Sequence, residues 1–265
     1  MDTINLAKKI RIEVIKMVNR SGASHIGPIL SIVDIVVVLY SKILNFDAQN
    51  PLLNTRDRFI LSKGHAGAAL YAVLAEFGFF EKERLLEYCK DGGVFSGHVS
   101  KFNIPGVEFS TGSLGHGLSV ACGSALRAKM DNLDYRVFSI LGDGELDEGS
   151  NWEALMFAAH KKLDNLCIIV DRNNLQSIDT TENTLALEPL AQKIRAFGWE
   201  VHEIDGHDHE ALEEAMKIKT LSPLCLIANT VKGKGVSFME NNIAWHYRTP
   251  LGEDFEKAIS EIDSQ

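Results

Sequence analysis

The chain has 265 residues, of which 45% are hydrophobic, and carries a formal net charge of −9. That length and composition are typical of one large soluble α/β domain. An acidic chain without a Lys/Arg-rich block attracts neither nucleic acid nor an anionic membrane surface, so we expect neither as a partner.

The amino-terminal segment predicts an amphipathic helix that ends near Gly22. Charged residues interrupt its apolar pattern, which excludes a secretion signal and a membrane span. Three of the four cysteines, Cys122, Cys167 and Cys225, lie in apolar runs, and no pair has C-x-x-C spacing. This usage is typical of core residues in a reducing compartment, so we expect a cytoplasmic protein.

A loop rich in turn-forming residues carries His25 and precedes an almost wholly apolar helix, predicted over residues 32–44. Ser31 and Asp34 have the spacing of a cap for this helix. A helix that spans a bilayer needs about 20 apolar residues, so this shorter one is predicted to lie in the core or at an interface.

The next segments follow the order strand, turn, helix. Residues 58–62 predict a short strand, Lys63-Gly64-His65 a tight turn, and residues 66–77 a helix of small residues whose start is suited to an anion. Residues 91–111, which include His98, predict a long loop. Loops of that length in compact domains are more often functional than idle.

Residues 112–117 read Gly-Ser-Leu-Gly-His-Gly and precede a helix of small residues predicted over 118–129. Val120 stands where the dinucleotide-binding fingerprint requires a small residue. The motif therefore disfavours a nicotinamide cofactor.

The most informative stretch, residues 136–176, predicts a strand, a helix and a second strand. The two apolar strands cover residues 137–141 and 166–170, and Ser150 and Glu153 have capping-box spacing at the start of the helix between them. Such a crossover makes the strands parallel, so both end at one edge of the sheet, where ligands bind. Asp143 and Asn173 follow these strand ends. A carboxylate, an amide and backbone carbonyls are hard oxygen ligands of the kind that Mg²⁺ accepts.

The rest of the chain predicts strands over residues 199–204 and 223–229 and helices over residues 190–197, 209–217 and 253–262. Lys232-Gly233-Lys234-Gly235 follows the last strand but lacks the frame of a phosphate-binding P-loop.

The histidines fall into two groups. One group lies in helical or exposed contexts and is predicted to be solvated or to cap helices: His160, His202, His207 and His209. Members of the other group each lie in a turn that contains Gly or Pro: His25, His65, His98 and His246. None of these histidines has the close spacing of zinc ligands.

Gly142-Asp143-Gly144 after one buried strand and Asn173-Asn174 after the next resemble the fingerprint of thiamine diphosphate enzymes, with Asp143 and Asn173 30 positions apart. The resemblance implies that Asp143, Asn173 and the Leu175 carbonyl hold Mg²⁺ against the diphosphate of that cofactor. It also implies that the Gly144 amide contacts the diphosphate.

Further motifs occur in the order found in transketolase and cover essentially the whole chain. They are Ser-Gly-Ala-Ser-His25, Leu-Ser-Lys-Gly-His65, Ser-Gly-His98, Pro-Gly-Val-Glu-Phe-Ser-Thr-Gly-Ser-Leu-Gly and Trp-His246. The chain resembles the N-terminal, diphosphate-binding domain of that family. The resemblance implies a three-layer α/β fold, in which a parallel β-sheet has helices on both faces.

The resemblance to transketolase also implies roles for single residues. His65 and His246 would contact the diphosphate, while His25, His98 and His246 would line the sugar channel as catalytic residues. The implied cofactor-binding set is completed by Gly112, Ser113, Leu114, Gly144, Glu145 and Asn173. Glu148 and Glu153 would lie at a dimer interface near the cofactor. The resemblance implies that Glu148 is also a catalytic residue. The family often has Gln at the position of His116 and Pro at that of Ser113, so donor or partner preference is expected to differ.

Residues 1–265 are expected to form a single domain, without the pyrimidine-binding and C-terminal domains of transketolase. In that family the glutamate that contacts the pyrimidine ring belongs to the second domain. We therefore expect an N-terminal subunit of a split transketolase, with a separate pyrimidine-binding chain as partner and two copies of each subunit in an α2β2 assembly. The reaction would transfer a two-carbon ketol unit from a ketose to an aldose, with or without phosphate groups, using thiamine diphosphate and Mg²⁺.

Three alternatives stay open at this point. One is a subunit of another thiamine diphosphate enzyme, such as a 2-oxo acid dehydrogenase α subunit or a deoxyxylulose phosphate synthase. Another is a noncatalytic module that binds thiamine diphosphate. The third is a magnesium-dependent phosphohydrolase, for which Glu145 or Asp147 would supply the second carboxylate beside Asp143.

Overall fold

The computed structural model of the protein describes residues 2–265. Their central feature is one parallel sheet with the strand order β1-β2-β3-β5-β4. The strands are β1 (Arg58–Leu61), β2 (Val137–Gly142), β3 (Leu166–Arg172), β4 (Glu200–Asp205) and β5 (Leu224–Asn229). All five predicted strands occur close to their predicted bounds.

The α-helices of the described residues are α1 (Thr3–Ser21), α2 (Ile26–Ser31), α3 (Val33–Val38), α4 (Gly67–Glu76), α5 (Gly117–Asp131), α6 (Gly149–His160), α7 (Thr181–Thr184), α8 (Leu190–Ala196), α9 (His209–Met216) and α10 (Glu253–Asp263). The described residues also include a short π-helix, Leu39–Ile43, and the 3₁₀-helices Gly64–Ala66, Lys82–Glu87, Gly144–Asp147 and Ile243–His246. Within residues 2–265 no helix has the length and apolarity needed to cross a membrane.

Alternate residues of the strands point to opposite faces of the sheet, so each face has its own core. Phe138 and Ile140 of β2 pack with α1, α3, α4 and α10 on one face. Val137 and Leu141 of the same strand pack with α5, α6 and α8 on the other face. Both faces of β2 and β3 are buried, as expected for a parallel sheet covered by helices. The predicted three-layer α/β fold is confirmed.

Two predicted helix caps are wrong, because tertiary partners bind the side chains instead. The helix predicted over residues 32–44 is α-helical over Val33–Val38 and π-helical over Leu39–Ile43, and a break at Ile32 separates it from α2. Ser31 Oγ donates to Asp171 Oδ2 at 2.7 Å. At the start of α6, Ser150 Oγ donates to the Gly115 carbonyl at 2.8 Å. Glu148 occupies the cap position without a side-chain hydrogen bond.

The prediction that His207 and His209 are solvated or capping residues is also wrong. Their side chains are 12% and 9% exposed, and they contact the two oxygens of Asp34 at 2.7 and 3.0 Å. Arg11 pairs with the same carboxylate. Burial alone would raise the pKa of Asp34, but the Arg11 charge and the histidine hydrogen bonds outweigh it and hold this pKa well below its usual range.

Asp34→Asn should lower the free energy of unfolding at pH 7 by about 3 kcal/mol, because it leaves the Arg11 charge buried without its partner. The pKa of Asp34 is lower in the folded chain than in the unfolded chain, where it is about 3.9. The stability due to this group is therefore complete above that value and is lost as the pH falls through the folded-state pKa. Urea unfolding from pH 7 to pH 2 should show a constant difference between the variant and wild type above about pH 4 and a difference that narrows as the pH falls below that value. Parallel curves would contradict this role for Asp34.

Candidate active site

A cavity of about 260 Å³ lies at the carboxyl ends of β2, β3 and β5. Its wall contains most of the site residues predicted from the sequence: His25, His65, His98, Gly112, Leu114, Asp143, Gly144, Glu145, Asn173, Leu175 and His246. Ser113 and Glu148 lie outside this wall and are exposed, as is Glu153. The parallel topology brings these distant segments to one edge of the sheet, as predicted.

Four histidines from separate segments meet in the cavity. The ring of His25 lies 5.2 Å from those of His65 and His246 and 5.6 Å from that of His98, measured between ring centres. Burial, together with neighbouring positive charge, lowers the pKa of His25 to about 4 and that of His246 to about 3. Burial and the Lys63 charge lower the pKa of His65 as well. These three rings are therefore neutral near pH 7.

A buried ion pair joins Lys63, which lines the cavity, to Asp171. Asp171 also accepts hydrogen bonds from Ser31, Thr230 and the Asn173 amide, the last at 3.0 Å. Burial would raise the pKa of Asp171, but Lys63 and these donors outweigh it and lower this pKa. Because Asn173 Nδ2 donates to Asp171, its Oδ1 faces the other way, where it accepts from the Leu175 amide at 3.2 Å and keeps a second lone pair for another partner.

Asp143 lies beside Asn173 with only 3% of its surface exposed. Its Oδ1 accepts from the Gly144 amide at 2.8 Å, and its Oδ2 accepts from the Asn174 amide at 2.7 Å. Burial and the charge of Asp171 raise the pKa of Asp143 to about 6. Asp143 Oδ2 also pairs with Arg172 at 3.4 Å. A further cation would stabilise the two close carboxylates.

The predicted metal ligands Asp143, Asn173 and the Leu175 carbonyl line the same cavity. They form a set of one carboxylate, one amide and one carbonyl, which suits Mg²⁺ and not zinc. Within residues 2–265 no cluster of three or more His, Cys, Asp or Glu side chains has the arrangement of a metal site. The Leu175 carbonyl also accepts from Lys232 Nζ at 3.0 Å.

Lys232 is a wall residue that was not predicted from the sequence, because the Lys-Gly-Lys-Gly motif lacks the frame of a P-loop. It is 2% exposed, and its amine donates to the Gln176 carbonyl at 2.8 Å and to His246 Nδ1 at 3.0 Å. Among the described residues no carboxylate forms an ion pair with it. Burial and the Lys63 charge lower the pKa of Lys232 to about 8. The available signal was a lysine in the loop three residues after a buried parallel strand.

Glu145 lines the cavity, but its oxygens are already engaged. They accept from the Gly115 amide at 2.9 Å, from the Gly142 amide at 3.1 Å and from Ser62 Oγ. Glu145 thus fixes the turn before α5. Asp147 lies outside the cavity wall and accepts from Gln176 at 2.7 Å. Glu145 is thus already engaged and Asp147 lies outside the cavity, so neither offers the second carboxylate that the phosphohydrolase alternative needs beside Asp143.

Tyr247 is a second wall residue that was not predicted. It lines the cavity beside His246, with their ring centres 4.8 Å apart, and its side chain is 60% exposed. Tyr247 thus marks the open side of the cavity. The sequence offered only its position next to His246 as a signal.

Comparison with known proteins agrees with this geometry. A family model described as "Transketolase, thiamine diphosphate binding domain" matches residues 3–262. An apulose-4-phosphate transketolase subunit from Phocaeicola vulgatus is 40% identical, over 100% of this chain and 95% of that protein. The 6-deoxy-6-sulfo-D-fructose transketolase subunit SqwG of Clostridium sp. (strain MSTE9) is 39% identical, over 100% and 98%.

Among solved structures, transketolase from Campylobacter jejuni superposes with a TM-score of 0.92 at 30% identity, covering 99% of this chain and 43% of that one. The chain thus spans less than half of this longer transketolase. The predictions of the family, of a transferase and of correspondence to the N-terminal part of a split enzyme are confirmed by these matches. The chain belongs to the transketolase family, and it corresponds to the thiamine diphosphate-binding domain of that family.

Proposed function

We propose that the chain binds thiamine diphosphate and Mg²⁺ in the cavity at the sheet edge and acts as the N-terminal subunit of a split transketolase. The observation that carries this proposal is the meeting of Asp143, Asn173 and the Leu175 carbonyl with Lys232 and four histidines around one cavity. When bound, thiamine diphosphate would supply the electron sink that breaking and remaking a carbon–carbon bond next to a carbonyl requires.

The residues present fit a magnesium diphosphate. Asp143 and Asn173 offer side-chain oxygens to Mg²⁺, and the Leu175 carbonyl keeps a second lone pair beside its bond to Lys232. Lys232 is a buried cation that hydrogen-bonds only neutral groups. An anion in the cavity would balance its charge and that of Mg²⁺. His65 and His246, neutral in the free protein, would donate to the same anion.

The tautomer of His246 follows from its neighbour. The Lys232 ammonium can only donate, so His246 Nδ1 accepts and the ring proton resides on Nε2. This Nε2–H is a donor for an oxygen in the cavity. His25 has Ser24 Oγ at 2.9 Å from its Nδ1, which leaves Nε2 for a substrate hydroxyl. We propose that His25, His98 and His246 bind sugar hydroxyls and move protons there.

The reaction we propose is transfer of a two-carbon ketol unit from a ketose to an aldose. The named relatives act on apulose 4-phosphate and on 6-deoxy-6-sulfo-D-fructose, which are both anionic ketoses. An anionic ketose is therefore the donor class we propose for this chain. Tyr247 and His98 at the open side of the cavity would contact it.

We propose that a separate chain supplies the pyrimidine-binding domain, in an assembly with two copies of each chain. The two relatives named as transketolase subunits match over nearly their whole length, whereas the longer transketolase extends well beyond the match. Glu148 and Glu153 are exposed, as expected for residues that contact another chain. The cytoplasm is the compartment we propose, in keeping with three cysteines buried as thiols in the core.

Asp143→Asn should weaken Mg²⁺-dependent binding of thiamine diphosphate on the order of 100-fold or more, because a neutral amide replaces the only carboxylate of the ligand set. Calorimetric titration of the complex purified from its own cells, with and without Mg²⁺, measures this. Asp147→Asn is the matched control, since it removes a nearby carboxylate outside the cavity, and it should bind as the wild type does. Unchanged affinity in Asp143→Asn would exclude the metal assignment.

Lys232→Met should remove most of the thermal stabilisation that magnesium pyrophosphate gives to the isolated chain. Wild type should gain stability as the ligand saturates the cavity, following RT ln(1 + [L]/Kd). The variant lacks the buried cation and should need at least about tenfold more pyrophosphate for the same shift in Tm. Lys234→Met, two residues along the same loop, should behave as the wild type does. Equal shifts in both variants would show that Lys232 does not face the diphosphate.

A further inference from the structure

We propose that a buried cluster centred on Asp34 holds the loop of residues 231–234 in place, and with it the Lys232 amine at the cavity. Asp34 and His207 are thereby positioning residues, which act through Lys232. The inference rests on the proposed function only in assigning Lys232 to the diphosphate. The hold on the loop itself is a property of the protein without its cofactor.

The cluster begins at one carboxylate oxygen. Asp34 Oδ2 accepts from Arg11 Nη2 and from His207 Nδ1, the latter at 2.7 Å. Asp34 is 3% exposed and sits on α3, behind the sheet edge that carries the cavity. Because the carboxylate only accepts, the proton of the His207 ring lies on Nδ1.

His207 holds the first residue of the loop. Its other nitrogen, Nε2, accepts from the Val231 amide at 2.8 Å. This nitrogen can accept only while the ring is neutral, and the bond from Nδ1 to Asp34 selects the required tautomer. Val231 lies two residues beyond the end of β5, so the contact fixes the direction in which the chain leaves the sheet.

Arg11 holds the last residue of the loop. Its Nε donates to the Lys234 carbonyl at 3.2 Å, while its Nη2 binds Asp34. One carboxylate therefore orients two side chains that hold opposite ends of a four-residue loop. Between them the Gly233 amide donates to the Gly27 carbonyl at 3.0 Å. Gly233 has φ +85° there, and a Cβ would lie 2.4 Å from the Met239 carbonyl oxygen, so the loop has little room to shift.

Lys232 lies in the middle of this loop and is the residue whose position the cluster determines. Its amine reaches the Leu175 and Gln176 carbonyls and His246 on the far side of the cavity. A long, flexible side chain contributes to a binding site only when its backbone is fixed. Loss of the hold on residues 231–234 would therefore weaken diphosphate binding without touching any cavity residue.

His209 provides a matched control within the same cluster. It contacts the other oxygen of Asp34 at 3.0 Å and Thr3 Oγ1 at 2.8 Å, and it is as buried as its neighbour. Neither of these hydrogen bonds reaches residues 231–234. Replacing His209 should thus cost comparable stability and leave the loop in place.

The test compares His207→Phe, His207→Gln and His209→Phe in the cofactor-free chain. Amide hydrogen exchange of Val231, followed by NMR, should be at least about tenfold faster in His207→Phe, because its acceptor is gone. His209→Phe should exchange at this amide as the wild type does, although its Tm falls as well. His207→Gln places an amide oxygen near the position of Nε2 and should restore much of the protection.

The second readout is the affinity for magnesium pyrophosphate. His207→Phe should weaken it by about tenfold, with a smaller loss in His207→Gln and none in His209→Phe. Unchanged Val231 exchange in His207→Phe, or equal losses of affinity in both phenylalanine variants, would overturn the inference. If the wild type itself fails to bind thiamine diphosphate and pyrophosphate, the proposed function fails, and the exchange rates still decide the hold on the loop.

Discussion

The buried ion pair between Lys63 and Asp171 is the interaction on which the rest of the site depends. An ion pair in a protein interior is favourable only when further hydrogen bonds satisfy both charges, and here Ser31, Thr230 and Asn173 do so for Asp171. Lys63 in turn donates to the Pro28 carbonyl at 3.2 Å. The pair therefore joins the ends of β1, β3 and β5 to α2, and it determines which way Asn173 presents its oxygen.

Charge balance explains the composition of the cavity wall. Lys63 is matched by Asp171, but Lys232 is buried among neutral partners. Asp143 has a raised pKa, and its ion-pair partner Arg172, at 3.4 Å, is shared with Glu182 and Glu188. The protein thus holds one incompletely paired cation and one incompletely paired carboxylate near each other. A magnesium diphosphate, as proposed here, would satisfy both, because its metal would bind the carboxylate and its oxygens would bind the cation. The neutral histidines would then supply hydrogen bonds without adding charge.

The sequence allowed the fold and most of the wall to be predicted, because both follow from short-range patterns and one topological rule. Apolar runs define the strands, and parallel strands bring Asp143 and Asn173 to one edge. Lys232, the Asp34 cluster and the true partners of Ser31 and Ser150 were missed because each depends on contacts between segments far apart in the chain. A serine with cap spacing has no local feature that distinguishes a helix N–H from a distant carboxylate as its partner.

The most direct measurement for the central claim is recovery of the tagged chain from its own cells at low salt, followed by mass spectrometry and assay of the recovered complex. The account predicts a stoichiometric partner with a pyrimidine-binding domain and ketol transfer from an anionic ketose that requires thiamine diphosphate and Mg²⁺. A chain that is recovered only with itself, binds thiamine diphosphate and shows no ketol transfer would contradict the split enzyme and favour a noncatalytic binding module. Use of pyruvate as donor in place of a ketose would contradict the reaction proposed here.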